Sequence, residues 1–419
     1  MKVRHSLACT IAALSLVALH ARADSDRDRE RDRDRDRTTT VDCAAGDTVA
    51  TALRQGDERK SLTILINGSC SEHVQIDRND VTLAAAAPGA TISGPDPTTD
   101  VIRVTASRVA IEGLTVTGGR NGITANGASG FMVRNALVQN TGRNGITYAR
   151  GASGVVDGTV VTGNARDGVA IDAAQGTVIN SRVGQNARMG VGVFNGGSAR
   201  IGIDNFNNAA GNAISANASN GIHIVFGSSA LIAMNQITGN GTSDAPGNLR
   251  NGINLASASA DIIGGNTISG HTGGTGVNLV RSTAIFGDAL FDLTTVNTIS
   301  GNGSPASQGG IFAFNGSSVT IRDTIITNNV GAGLFLSFRS QAQISGNTIQ
   351  NNVPPGGDGI RVVLGSALFP TAPNGVVSGN AGFGLLCASP ESSVANFPAG
   401  VAPLGLTNGL TDVAGCTGF

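Results

Sequence analysis

Arginine recurs at a nearly constant spacing through the first half of this chain. Arg120, Arg143, Arg166 and Arg188 are separated by 23, 23 and 22 residues. If one turn of a repeating fold takes that many residues, these side chains stack at one corner about 5 Å apart. Because the chain as a whole has a net charge of −1, a row of guanidinium groups would be a local positive stripe that attracts anions. The spacing therefore predicts an anion-binding row.

A second set of residues could carry out acid–base chemistry near the same corner. The nearest candidates are His223, Asp244, Arg250 and His271. Imidazole and carboxylate groups exchange protons, and arginine stabilises developing negative charge. The alternative for both sets is structural: solvated turn arginines, with Asp167 neutralising part of the row. Both interpretations depend on the repeat that would position these side chains.

The repeat is visible as a glycine turn followed by an apolar residue. The apolar residues are Ile123, Ile146, Val169, Val191, Ile222, Ile253, Val277, Ile311, Leu334, Ile360 and Leu385. Each unit of 22 residues or more holds short alternating strands and no helix, which is typical of a parallel β-helix rather than of a sheet with crossover helices. Alternation from Ile123 places a second column inward, which includes the single tyrosine, Tyr148.

Asparagine also recurs, just after the second strand of each unit. The column comprises Asn140, Asn164, Asn186, Asn208, Asn240, Asn302, Asn329, Asn352 and Asn380. Stacked asparagines can hydrogen-bond to each other and to the backbone from coil to coil. We interpret them as a structural ladder.

The N-terminus has the features of a secretory signal peptide, residues 1–23. Lys2 and Arg4 precede an apolar run of 13 residues, and Ala21-Arg22-Ala23 follows, which predicts cleavage after Ala23. The run is short of the roughly 20 residues that span a bilayer, so a membrane anchor is the weaker alternative. We expect export to the periplasm or the extracellular space, with no membrane span in the mature chain.

Residues 24–40 are predicted to be a charged low-complexity linker. Residues 24–37 contain seven acids and six arginines in near alternation, with nothing apolar to bury. Removal of residues 1–23 leaves 25 basic against 29 acidic side chains, a balance that gives no support for nucleic-acid binding.

Four cysteines remain after cleavage, two near each end of the repeat region. They are Cys43, Cys70, Cys387 and Cys416. An even number in an exported chain indicates disulfides. Of the three pairings, Cys43 with Cys70 and Cys387 with Cys416 is the most economical, because each bond would staple one end of the domain.

Taken together, these features resemble the right-handed parallel β-helix, or pectin-lyase-like, superfamily. The stretch GDTVATALRQ at residues 46–55 reads as a short amphipathic capping helix that leads into the first coils, as in many exported β-helix proteins. The resemblance implies an all-β, right-handed parallel β-helix of about 11–13 coils over residues 41–387, followed by a C-terminal cap or tail at 388–419.

The catalytic motifs of that superfamily are missing from this sequence. Paired-carboxylate hydrolase motifs do not occur, and DPTTD at residues 96–100 lacks the histidine of the epimerase motif. Lys60, the single lysine after residue 23, precedes the repeats. GGTGVNLV at residues 273–280 has Asn278 where a calcium-binding repeat has aspartate, so we expect no calcium, no other metal and no cofactor.

The resemblance gives the arginine row a specific ligand class, an anionic polysaccharide. Coils lengthened at residues 208–219, 241–250 and 303–308 are expected to build a wall at the same corner. We therefore expect a noncatalytic envelope or extracellular protein that contacts glycans. The alternative is a polysaccharide lyase or uronan epimerase with an atypical active site.

An apolar patch suggests a third class of function. Phe312, Phe314, Phe335 and Val363 fall at outward positions of adjacent coils. The tail or another subunit is expected to cover them. A homo-oligomer through Phe312, Phe314 and Phe335 would suit a surface adhesin or structural protein.

Overall fold

The computed structural model describes residues 36–55, 60–244, 249–287, 295–305, 308–371, 375–394, 405–408 and 413–416. In these residues the chain winds through 43 strands as a right-handed solenoid, with one short α-helix, α1 (Val49–Arg54), and a 3₁₀ turn at Cys43–Ala45. Each coil contributes one strand to each of three parallel sheets, named A, B and C here. The predicted signal peptide, its cleavage site after Ala23 and most of the charged segment lie outside the described residues.

The three sheets have 15, 14 and 14 strands. Sheet A consists of β1 (Asp36–Asp42), β2 (Ser61–Asn67), β5 (Val81–Ala85), β8 (Ala110–Glu112), β11 (Phe131–Arg134), β14 (Ser153–Asp157), β17 (Gln175–Ile179), β20 (Ser198–Ile201), β23 (Ser229–Ile232), β26 (Ser259–Ile262), β29 (Thr283–Phe286), β32 (Ser318–Arg322), β35 (Gln341–Ser345), β38 (Ala367–Pro370) and β41 (Ser393–Val394). Sheet B consists of β3 (Ser69–Ser71), β6 (Thr91–Gly94), β9 (Thr115–Gly118), β12 (Leu137–Gln139), β15 (Val160–Thr162), β18 (Arg182–Gly184), β21 (Ala213–Ser215), β24 (Gln236–Thr238), β27 (Thr267–Ser269), β30 (Thr298–Ser300), β33 (Ile325–Thr327), β36 (Thr348–Gln350), β39 (Val376–Ser378) and β42 (Gly405–Thr407). Sheet C consists of β4 (Val74–Ile76), β7 (Ile102–Val104), β10 (Ile123–Asn126), β13 (Ile146–Ala149), β16 (Val169–Asp172), β19 (Val191–Phe194), β22 (Ile222–Val225), β25 (Ile253–Ala256), β28 (Val277–Val280), β31 (Ile311–Phe314), β34 (Leu334–Ser337), β37 (Ile360–Val362), β40 (Leu385–Cys387) and β43 (Val413–Ala414).

The register along sheet C is the one that the glycine turns predict. Ile123 pairs with Ile146, Ile146 with Val169, and Val169 with Val191. All four side chains are fully buried, and the next inward column, which includes Tyr148, is fully buried as well. The alternating pattern therefore places one face of every strand in a single continuous core, and Tyr148 is part of that core.

The solenoid has about 14 coils rather than the predicted 11–13. The additional coils lie at the two ends, where β4 and β43 pair in sheet C without the glycine-turn signature. Strand β1 begins at Asp36, before the predicted limit at residue 41, and β41, β42 and β43 continue the sheets into the predicted tail.

The predicted capping helix covers the N-terminal end of the solenoid, and both predicted disulfides are present. Helix α1 covers the N-terminal end, with the Thr48 side chain accepting a hydrogen bond from the Thr51 backbone N–H at 3.1 Å. The Glu72 carboxylate caps the same helix by accepting from the backbone N–H of Val49 at 2.8 Å and of Ala50 at 3.2 Å. Disulfides join the cysteine pairs that staple the two ends, Cys43–Cys70 and Cys387–Cys416.

A ladder of buried polar side chains follows sheet B, and it corrects two of the predicted asparagines. Its rungs are Thr141, Asn164, Asn186, Asn217, Asn240, His271, Asn302, Asn329, Asn352, Asn380 and Asn408. Asn140 is exposed with a φ of 52°, one residue before the rung at Thr141. Asn208 lies in a surface loop, where its amide donates to Asp204 at 2.9 Å. Asn217 takes the rung that Asn208 was expected to hold.

One of the three predicted insertions also lies elsewhere. Residues 202–212 separate β20 from β21, so this insertion is at the corner between sheets A and B. Ile203, Ala233 and Ile263 form a small separate core beneath it. The insertions between β24 and β25 and between β30 and β31 do precede sheet C, as expected.

Candidate functional site

An open groove runs along the outer face of sheet C and the corner that precedes it. It covers the coils from Asp100 to Phe226 and encloses about 600 Å³. Six arginines line it, namely Arg103, Arg120, Arg143, Arg150, Arg166 and Arg188. Three aspartates also line it, so the cations outnumber the anions by two to one. We call this surface the arginine groove.

The predicted arginine row forms one wall of this groove. Each of its arginines lies three residues before the first residue of its strand in sheet C, in β10, β13, β16 and β19. The backbone N–H of Arg166 donates to the Arg143 carbonyl and that of Arg188 to the Arg166 carbonyl, both at 2.8 Å. Backbone hydrogen bonds therefore join successive coils at this corner as they do within the sheets. The four predicted arginines all line the same groove.

The two ends of the row differ in charge. Asp167 is buried at 1 % exposure and accepts two hydrogen bonds from the Arg188 guanidinium, both at 2.6 Å. Arg166 lies 3.8 Å from the same carboxylate. In the described part of the chain, no carboxylate forms an ion pair with Arg120 or Arg143. The expected neutralisation by Asp167 is therefore confined to one end.

The crowding of the cations is visible in the pKa of Arg166. Partial burial lowers this pKa, the positive charges of Arg188 and Arg143 lower it further, and Asp167 opposes them. A bound anion would relieve this repulsion. The groove is therefore electrostatically suited to a ligand with several negative charges.

The floor of the groove is made of short side chains from alternate positions of sheet C. Thr124, Thr147, Ala170 and Gly192 are paired in register, and their positions alternate with the inward ones. The Thr124 hydroxyl is buried and has no hydrogen-bond partner in the described residues. These short side chains make the floor of the groove low beside the arginine row.

His223 forms the far end of this floor, after Gly192 in the same register. Its Nδ1 accepts hydrogen bonds from the side-chain amides of Asn220 and Asn254, each at 3.1 Å. The ring of Phe194 lies beside it, with 6.0 Å between the centroids. Burial lowers the pKa of His223 to about 4, and the charge of Arg188 contributes. The imidazole is therefore neutral at neutral pH.

The other acid–base candidates do not join this groove. Arg250 keeps the register of the row, but Ser219 occupies that position on the coil between Arg188 and Arg250. Arg250 pairs instead with Asp244, whose side chain is 90 % exposed. The structure thus brings Arg250 and Asp244 together, away from His223.

His271 is a rung of the polar ladder and has no exposed surface. Its Nδ1 accepts from the Asn240 backbone N–H at 3.0 Å, and its Nε2 donates to the Ile237 carbonyl at 3.1 Å. These are the bonds that an asparagine makes on other coils, so His271 has a structural role. Burial lowers its pKa to about 4.

The predicted aromatic patch lies further along the outer face of sheet C. Phe312 is 5.6 Å from Phe314 and 5.1 Å from Phe335 between ring centroids. Phe338, which the sequence did not single out, packs edge-on against Phe314 at 4.9 Å and is 50 % exposed. The Arg361 guanidinium lies over Phe335 at 5.5 Å.

Several residues of the groove were not predicted from the sequence. Arg103 occupies the outward column of β7, and Arg150 follows β13 with a φ of 54°. The outward alternation could have identified Arg103, because it is paired with Thr124. The same alternation places Phe194 outward, two residues after Gly192, but it does not show the contact with His223, which depends on the direction of the Phe194 side chain.

No group of three or more His, Cys, Asp or Glu residues in the described part of the chain could hold a metal ion. None of the helices in that part of the chain has the length and apolar character of a membrane span.

Comparison with known proteins places the chain in a family by sequence. The profile described as "Right handed beta helix region" matches residues 62–237 and 248–397, which is more than half of the chain. No curated protein matches the sequence.

Solved structures resemble this one in fold. The pectate lyase Pel9A is 12% identical, with a TM-score of 0.34 over 85% of this chain and 77% of its own. The A-module of the mannuronan C-5 epimerase AlgE6 from Azotobacter vinelandii is 14% identical, with a TM-score of 0.41 over 88% and 93%. The periplasmic alginate epimerase AlgG is 12% identical, with a TM-score of 0.44 over 89% and 83%. These similarities concern the fold and carry no information on activity, whereas the profile match and the solenoid agree on the family: the chain belongs to the right-handed β-helix family.

Proposed function

We propose that this chain is an exported β-helix protein that binds an anionic polysaccharide along the arginine groove without cleaving it. The observation that carries the proposal is that Arg120 and Arg143 face one groove, on successive coils, with no ion-pair partner in the described residues. An extended polyanion is suited to such a row, because its charges repeat along a line as the arginines do.

Two features support export, the N-terminal sequence and the two disulfides. The first residues read as a signal peptide, and the two disulfides are compatible with an oxidising compartment. Both the periplasm and the extracellular space would keep these bonds intact.

The state of His223 supports binding rather than catalysis. A general base must accept a proton, but Nδ1 of His223 is already occupied by two amide donors. The single tyrosine is in the core, and Lys60 lies before the coils of the groove. His223, Tyr148 and Lys60 are therefore engaged, buried or outside the lining of the groove.

A panel of polygalacturonate, alginate, a glycosaminoglycan and neutral dextran tests the proposal against the lyase or epimerase alternative. We expect saturable binding of at least one acidic glycan, no binding of dextran and no release of products. Ultraviolet-absorbing unsaturated products, or epimerised residues seen by NMR, would contradict the noncatalytic assignment. Absence of binding to every acidic glycan would contradict the binding assignment.

The aromatic patch supports a second proposal, which concerns assembly. Phe312, Phe314, Phe335 and Phe338 form a ring cluster on the outer face of sheet C, and an apolar cluster of this kind is more stable when a partner covers it. We propose that a second copy of this chain covers it, so that the protein is a homo-oligomer with the patch at its interface.

A further inference from the structure

The far end of the arginine groove differs in chemistry from the rest. Its lining there includes Phe194, His223, Val225 and Phe226. The Phe226 side chain is 68 % exposed. Its φ of 58° lies in the left-handed region, which is unusual for a bulky residue. Apolar and aromatic groups thus replace the arginines at this end.

Arg188, the last arginine of the row, is already neutralised. Arg188 is held by both oxygens of Asp167 and lies over the Phe194 ring, 5.7 Å from its centroid. A second carboxylate on the ligand would have to compete with Asp167 for Arg188. The subsite is therefore better suited to an uncharged group.

The hydrogen-bonding state of His223 is fixed by its neighbours. The Asn220 side-chain oxygen accepts from the Asn251 backbone N–H at 2.9 Å, so its amide nitrogen must face His223. The Asn254 side-chain oxygen accepts from Asn278 at 2.7 Å, which orients its amide nitrogen in the same way. Both amides therefore donate to Nδ1, and the neutral imidazole carries its proton on Nε2.

This Nε2–H group has no acceptor among the described residues. The side chain is 9 % exposed and lines the groove, and Nε2 is not among the fully buried atoms, so this donor is open to the groove and can be given to a ligand in place of water. The acceptor could be a hydroxyl or a carbonyl oxygen.

The apolar floor beside His223 decides between these two. The Phe194 ring lies over Gly192, and a Cβ there would be 2.4 Å from the Phe194 Cζ atom. Gly192 therefore permits a position of the ring that any larger residue would block. A group with a carbonyl oxygen for His223 and a methyl for Phe194 uses both features, whereas a hydroxyl uses one.

We propose that this end of the groove binds the acetyl group of an acetylated acidic glycan, with the carbonyl oxygen accepting from His223 Nε2–H and the methyl packing on Phe194. The inference rests on the proposed function, because the arginines must hold the same chain. The acetyl can come from an ester or from an amide, since both present the same carbonyl and methyl.

Matched glycans test this inference. Oligogalacturonate is chemically O-acetylated, half of the sample is deacetylated with mild base, and binding of each half is measured by calorimetry. Hyaluronan, which is anionic and N-acetylated, and its N-deacetylated, re-N-sulfated form make the second arm. We expect the wild type to prefer the acetylated form by about tenfold in at least one arm, from one hydrogen bond and one buried methyl. The arm that shows the preference identifies the ester or the amide.

Variants separate this inference from the proposed function. His223→Leu and Phe194→Leu should each reduce the preference to about threefold, because each removes one of the two contributions, and Gly192→Ala, which displaces the ring, gives a third readout if one of them fails to fold. Arg134→Ala, on the outer face of sheet A, is the control and should keep the full preference. A wild type that binds both forms equally overturns the inference and leaves the proposed function standing. A wild type that binds neither overturns both.

The tautomer gives a readout that does not require a ligand. Nitrogen-15 NMR of the histidine side chains should show His223 protonated on Nε2 at pH 7. Protonation on Nδ1 instead would contradict the inference, because the donor would then point towards the asparagines.

Discussion

The Arg188 guanidinium donates to both carboxylate oxygens of Asp167 at 2.6 Å, and the carboxylate lies buried beneath the arginine row. The same corner position is held by Asn121 and Asn144 on the two preceding coils. The Asn144 side-chain oxygen accepts from the Asp167 backbone N–H at 3.3 Å, as the Asp167 carboxylate does from Met189 at 3.4 Å. The fold therefore accepts an asparagine at this position, and the charge of Asp167 acts mainly on Arg188.

We expect Asp167→Asn to raise the affinity for acidic glycans, because it releases Arg188 without removing the backbone contact. The cost in free energy of unfolding should be about 1–3 kcal/mol, since one charged pair is lost and the amide retains part of its hydrogen bonding. Calorimetric binding and urea denaturation measure the two effects. Weaker binding by the folded variant would contradict the assignment of Arg188 to the groove.

The two buried histidines should make stability depend on pH. Folding lowers the pKa of His223 and of His271 from 6.5 to about 4, so the unfolded chain binds more protons between these values. Their contribution to stability is complete above about pH 6.5 and is lost as the pH falls towards 4. Urea denaturation between pH 4 and pH 7 measures this slope.

His271→Asn is the matched variant for that measurement. Asparagine holds the adjacent rungs of the ladder at Asn240 and Asn302, so the variant should fold and lose the share of the slope that His271 supplies. An unchanged slope would show that His271 does not titrate as its burial predicts.

The Cys387–Cys416 disulfide should stabilise the last coil and little else. Neighbouring coils carry most of each other's contacts in a solenoid, so a change at one end remains local. We expect the double Cys387→Ser, Cys416→Ser variant to exchange amide hydrogens faster in residues 385–416, with unchanged exchange around β13. Faster exchange throughout the solenoid would contradict this local role.

Oligomerisation through the aromatic patch is tested by Phe335→Asp. A carboxylate beside the Phe312 ring, in place of the Phe335 ring, should oppose burial of the patch and shift the protein to monomers. Phe206→Asp, on a residue that is 85 % exposed in the loop before β21, is the control and should keep the wild-type mass. Light scattering measures the mass, and a monomeric wild type would contradict the proposal.

Much of the architecture can be predicted from the sequence, because glycine turns at a regular spacing, followed by short alternating strands, are typical of a parallel β-helix. Ile123 and Ile146 repeat after glycine turns, and alternation from them identifies inward residues such as Tyr148. The number of coils was predicted slightly too low because the turns of the end coils lack this signature, as at Ile102.

The site was predicted less completely, for two reasons. Spacing identifies residues that share a register, so the arginine row was found, but it does not show that Ser219 interrupts the row before Arg250. Nor does residue type distinguish His223, which lines the groove, from His271, which replaces an asparagine in the ladder. Those differences arise from which face of the coil a residue occupies.

Binding by the arginine groove is tested most directly with the double variant Arg120→Ala, Arg143→Ala, because these two side chains face the groove without an ion-pair partner in the described residues. Affinity for the best acidic glycan is measured by calorimetry at low and high salt, beside the wild type and the control Arg134→Ala. We predict that the double variant binds at least about tenfold more weakly and with a smaller dependence on salt, while the control stays within about twofold of the wild type. Equal affinities of the folded double variant and the wild type would contradict the role of the groove.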